Sequence, residues 1–162
     1  MTRPADCSPR DIFRLFFRAL STFAQSVADD FPNIRLFFRT VKMQIDRPNR
    51  RGRFSAGGTL LPEEATELAT SALSAAGAER LRTLLLDFQS MKLTRRMSLT
   101  ECHHVGERLA RAGAGLSRVA FVTREDCVEP HGFLFTVAVN RGLQTAAFRD
   151  EKSALEWLGE AA

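Results

Sequence analysis

From residue 41 of this 162-residue chain the hydrophobic positions change period repeatedly, and each change marks an element. VKMQID (41–46) alternates apolar and polar, RPNRRG carries turn chemistry and RFSAGG resumes an extended run, which predicts a hairpin over 41–58. LPEEATELATSALSAAG (61–77) predicts a helix. Pro62 suits its first turn, Glu63 and Glu64 suit its positive end, and Gly77 predicts its stop. Leu68, Ala69, Ala72, Leu73 and Ala76 fall on one face, where the alanines permit close approach to a sheet.

RTLLLDF (82–88) and RVAFVT (118–123) are short, continuously apolar runs, the pattern of strands covered on both faces. Between them, SLTECHHVGERLARAG (98–113) predicts a helix opened by a capping box, Ser98 with Glu101. QTAAF (144–148) is strand-like, and DEKSALEWLGE (150–160) predicts a closing helix with Asp150 as N-cap and Leu155, Trp157 and Leu158 as anchors. EPHGFLFTVAVNRG (129–142) is ambiguous, because its β-branched and aromatic residues favour a strand by propensity. Helices alternating with short apolar strands predict an α/β domain whose sheet is mostly parallel and made mixed by the hairpin.

Before residue 40 the pattern is different. Phe13, Phe16, Leu20, Phe23 and Val27 form one stripe of a predicted helix over 9–28, while Arg10, Arg14, Arg18 and Gln25 form another. Seven of the 13 phenylalanines lie in the first 38 residues. Residues 1–55 carry 11 Lys and Arg against 5 Asp and Glu, so the net charge of +4 is concentrated in the first third of the chain. The expectation is a helical extension (1–40) followed by an α/β domain (41–162). Three readings of the extension stay open: a helix packed on its own domain or on a second copy in a homodimer, a helix on an anionic membrane surface, or a start placed too early, since Met43 could begin the domain.

The ordered set RGRFSAGGTLLPEEA, RTLLLDF, MSLTE, RVAFVT and AAFRDEKSALEWL resembles the STAS-like superfamily, specifically its SpoIIAA-like branch. Gly58, the Asp87-Phe88 strand end and Phe148-Arg149-Asp150 with Ala154-Leu155-Glu156-Trp157-Leu158 carry the resemblance, which covers about 41–162. It implies the order β-β-α-β-α-β-α-β-α, with a helix rather than a strand over 130–141. It also implies a non-enzymatic, bacterial-type regulatory or adaptor module. Anti-sigma-factor antagonists of the superfamily are switched at a serine in an Asp-Ser-Ser-Gly element at the start of the second helix. Here that position reads RRMSLT, with Ser98 at the helix start but without the aspartate or the glycine.

Candidate chemistry gathers after the strand RTLLLDF. Loops at the carboxyl ends of parallel strands form the usual ligand crevice, and Gln89–Met97 is such a loop. Asp87, Ser90, Arg95, Arg96 and Ser98 are the candidate ligand- or partner-binding residues, and Ser98 is the candidate phosphorylation site. Arg95, Arg96 and Ser98 at a helix N-terminus could hold a phosphoryl group, or could be no more than a cap and two solvated charges. Asp87 could bind a ligand or accept backbone hydrogen bonds from its own loop. Cys102, His103, His104, Cys127 and His131 invite a zinc reading, but residues 102–104 diverge by about 100° each on a helix, so at most one or two could converge on one ion. No metal site is expected.

No G-x-S-x-G elbow, glycine-rich phosphate loop or paired carboxylates appear, and the chain has no tyrosine, so no enzyme or cofactor is expected. Arg47, Arg50, Arg51 and Arg53 form a basic hairpin tip without evident aromatic stacking positions, which argues against nucleic acid. Three scattered cysteines and the arginines that interrupt the first apolar segment predict a cytoplasmic protein. Two functions remain: a module that binds a protein partner at the crevice, or a carrier or sensor of a small anionic or lipid-like ligand held between the sheet edge and Phe133–Val139.

Overall fold

The computed structural model describes residues 40–124 and 132–159, so the predicted helix at 9–28, Cys7, Cys127 and His131 lie outside the described residues. The element order is β1 (Thr40–Asp46), β2 (Arg51–Leu60), α1 (Pro62–Ala78), β3 (Thr83–Asp87), β4 (Met91–Leu93), α2 (Leu99–Ala112), β5 (Arg118–Val122), α3 (Phe133–Asn140), β6 (Thr145–Phe148) and α4 (Glu151–Leu158). This is the predicted mixed α/β order with one addition. Residues 91–93, read from sequence as loop, form a short strand parallel to β2.

The main sheet runs β1-β2-β3-β5-β6, antiparallel between β1 and β2 and parallel elsewhere. From β2 onward the chain steps in one direction across the sheet. Right-handed crossovers therefore put α1, α2 and α3 on one face, where α1 packs on α2 and α2 on α3. α4 follows the last strand and covers the opposite face, where Ala154 and Leu158 join Leu85, Ala120 and Val122 in a buried cluster. Leu84, Leu85 and Leu86 are all 0–1% exposed, as a doubly covered strand requires. Each such side chain contributes about 1.5–3 kcal/mol through burial.

Two glycines shape this frame. β2 pairs with β3 through Ser55 and with β4 from Gly58, and the change of partner occurs where Gly58 takes φ +124°, a conformation that a side chain would strain. Gly106 on α2 lets α3 approach closely. A Cβ there would lie 2.5 Å from the Leu134 carbonyl oxygen and 2.7 Å from Val137 Cβ.

The ambiguous segment is helical, as the resemblance implied and against its propensity. Leu134, Val137 and Ala138 are buried in that helix, and the Phe135 ring lies 5.1 Å from Phe121 on the sheet, so tertiary packing overrides the strand preference. The predicted stop at Gly77 falls short. α1 runs to Ala78, and the left-handed residue behind it is Arg80, at φ +56°. Arg80 is held there by its backbone N–H on the Gly77 carbonyl and by Arg50 Nε donating to its own carbonyl.

Candidate functional site

The carboxyl ends of β2 and β3 lead into the N-termini of α1 and α2, which lie side by side. Each helix start is fixed by an acidic residue in its first turn. At α1, Glu64 accepts the Leu61 backbone N–H at 2.7 Å. At α2, Ser98 Oγ accepts the Glu101 N–H at 3.3 Å, and Glu101 Oε2 accepts the Ser98 N–H at 2.7 Å, completing the predicted capping box. The Ser98 hydroxyl also donates to Glu101 Oε2 at 2.8 Å.

Arg95 joins the two helix starts. Its guanidinium binds Glu101 through both terminal nitrogens, at 2.7 and 3.1 Å, and reaches Glu63 on α1 at 2.5 Å. The Arg95 hydrogen bonds, with those from Ser98, pull the Glu101 carboxyl down to about 2. Arg95 is shifted up in return, chiefly by its hydrogen bond to Glu101. An anion arriving at this helix end would have to displace a carboxylate from Arg95. The arrangement therefore suits a clamp between helices better than a phosphoryl pocket.

The loop before the clamp is tied down by backbone. The Ser90 carbonyl accepts from Gly58 N–H at 3.0 Å, and Thr94 N–H donates to the Leu60 carbonyl at 2.9 Å. Ser90 and Arg96 are exposed. The structure thus brings Arg95 and Ser98 to one carboxylate, Glu101, and Arg96 accepts from Arg95 Nη1 through its backbone carbonyl at 3.3 Å.

Asp87 belongs to a different group. One oxygen accepts the Gln89 backbone N–H at 3.1 Å, and the other lies 3.5 Å from Arg53 Nη2. Arg53 in turn forms a two-point pair with Glu151 at the start of α4. Beside this second clamp an open cleft of about 240 Å³ is lined by Gln44, Ile45, Asp46, Arg51, Gly52, Arg53, Leu85 and Leu155. It lies on the α4 face, not beside Phe133–Val139 where a small ligand was expected.

Two residues that sequence reasoning passed over complete the edge. Leu61, the residue before α1, is 47% exposed, and Leu99, the first residue of α2, is 69% exposed. Each precedes by two positions one of the carboxylates that Arg95 joins. An apolar residue directly beside a helix cap is the signal that could have marked them. The basic tip, by contrast, is largely used internally: Arg47 pairs with Glu79 and Arg50 with the Arg80 carbonyl. Among the described residues no helix is long and apolar enough to cross a membrane. Compared with known proteins, the chain matches no family model and no curated protein.

Proposed function

We propose that this protein is a non-enzymatic interaction module that binds a protein partner at the carboxyl edge of its sheet, in the manner of the STAS-like superfamily it resembles. The observation that carries the reading is the pair Leu61 and Leu99, large apolar side chains 47% and 69% exposed, each two residues before a carboxylate that Arg95 holds. Apolar anchors beside oriented charges are what protein interfaces use: the anchors supply burial and the charges supply register. A cytoplasmic setting is part of the reading, and Cys102, fully buried in the core, is compatible with it.

Ser98 is the place where such a module would be switched. A phosphate on its hydroxyl would stand against Glu101, now 2.8 Å away, and would compete with it for Arg95. Phosphorylation would therefore open the clamp while leaving the leucines in place.

The test is capture from a lysate of the source cell with wild-type protein and a Leu61→Asp/Leu99→Asp variant, read by quantitative mass spectrometry. The reading expects a protein enriched by the wild type and lost from the variant. Equal recovery by both would remove the edge from consideration. A second reading, a small-ligand carrier, draws on the open cleft beside Arg53, and saturable ligand binding abolished by Arg53→Ala would favour it.

A further inference from the structure

Farther along α2, His103, His104 and Glu107 each offer one ligand atom, and those atoms lie within 4.8 Å of one another. Neighbouring side chains on a helix diverge, so two adjacent histidines rarely share an ion. Glu107 supplies the convergence, because it stands four residues after His103 and three after His104, the two spacings that stack helix side chains. His103 Nδ1 lies 3.9 Å from Glu107 Oε2, and the two imidazole rings meet edge to face at 5.8 Å. Cys102 takes no part, since its side chain is buried in the core.

The carboxylate is also positioned from outside. Arg141, the residue capping the end of α3, pairs with Glu107 Oε1 and leaves Oε2 toward His103. Metal-binding carboxylates characteristically have such an outer partner. The seat between α2 and α3 that sets this contact is the close one at Gly106.

We propose that His103, His104 and Glu107 bind one divalent transition-metal ion of the zinc class at the surface of α2, with water completing its coordination. Two imidazole nitrogens and one carboxylate oxygen suit the borderline ions of that class rather than magnesium or calcium, which take oxygen donors. Around an ion with ligands at about 2.0–2.1 Å, the donors must close to roughly 3.4 Å of one another. His103 and Glu107 have side chains 45% and 28% exposed, so rotation about their side-chain bonds can supply that movement without disturbing the core. The Arg141 charge opposes a second cation and makes the site a moderate binder rather than a tight structural one.

The experiment is a titration of the full-length protein with Co²⁺ as a spectroscopic probe, then displacement by Zn²⁺. The expected result is one equivalent of Co²⁺ with visible ligand-field bands and no thiolate charge-transfer band in the near ultraviolet. Binding should weaken at least roughly tenfold in His103→Ala, in His104→Ala and in Glu107→Gln. A thiolate band, undiminished binding in the His103→Ala/His104→Ala variant, or no saturation up to millimolar Co²⁺ would each overturn the proposal. The wild-type stoichiometry and spectrum decide the matter even if a variant folds poorly.

Discussion

Arg53 and Arg95 each hold two carboxylates, and their side chains are almost equally exposed, at 41% and 45%. Their settings differ. Arg53 reaches from β2 to Asp87 on β3 and Glu151 on α4, next to the buried Leu85, which also lines the open cleft. Arg95 reaches from a loop to Glu63 and Glu101 at two helix starts, and the apolar residues beside it point to water. The same arrangement of charges ties two strands to a helix in one place and joins two helix starts in the other. What distinguishes the two is the fate of the neighbouring leucines.

That contrast is broken most forcefully at the leucines themselves. Leu85→Ala removes a side chain 1% exposed and should lower stability by about 2–5 kcal/mol. Leu99→Ala should change it by less than about 0.5 kcal/mol. Denaturant unfolding monitored by circular dichroism checks both, and equal losses would mean that Leu99 is structural. Next in size is Gly106→Ala, expected to cost about 1–3 kcal/mol because the added methyl meets the α3 backbone.

The arginines give smaller effects. Arg53→Ala should lose about 0.5–1 kcal/mol, near the upper end for exposed pairs, because it leaves both Asp87 and Glu151 without it. Arg95→Ala should leave the unfolding midpoint nearly unchanged while amide exchange quickens in the first turns of α1 and α2. Faster exchange spread through β3 and β5 would contradict the separation of the two regions.

The elements were legible in the sequence because period and caps agreed. Ser98 with Glu101 and Asp150 with its partner Ser153 form the caps their spacing predicts. β4 was missed because three residues give no period, and only Gly58's turn toward the Ser90–Leu93 backbone makes them a strand. Ser98, Arg95 and Arg96 were singled out, yet the use of Arg95 was invisible, because Glu63 lies 32 residues away and only the fold brings it near. The angles between neighbours allowed one or two of residues 102–104 to converge, but Glu107, one turn later, was not weighed. Its donor oxygen lies within 4.8 Å of the donor atoms of His103 and His104.

The smallest effect is a pH dependence. The Glu101 carboxyl sits at about 2 in the folded protein against an ordinary 4.5, so its contribution is complete above pH 4.5 and is lost as pH falls toward 2. Glu101→Gln lacks that contribution. The stability gap between wild type and variant should hold from pH 7 to about 5, then shrink toward zero by about pH 2. Asp46 and Asp150, also shifted down by hydrogen bonds from Asn49 and Ser153, titrate in both proteins and cancel in the difference. A gap that is constant with pH would show that the Arg95 clamp does not act through charge.

The central claim is that the Leu61–Leu99 edge meets a protein partner. The most direct measurement places a photo-crosslinking amino acid in turn at Leu61, Leu99, Val41 and Val139, the four large apolar residues most exposed among those described, and irradiates each protein in the source-cell lysate. The account predicts one shared crosslinked protein from positions 61 and 99 and none of it from 41 and 139. Crosslinks confined to 41 or 139, or equal from all four, would contradict it.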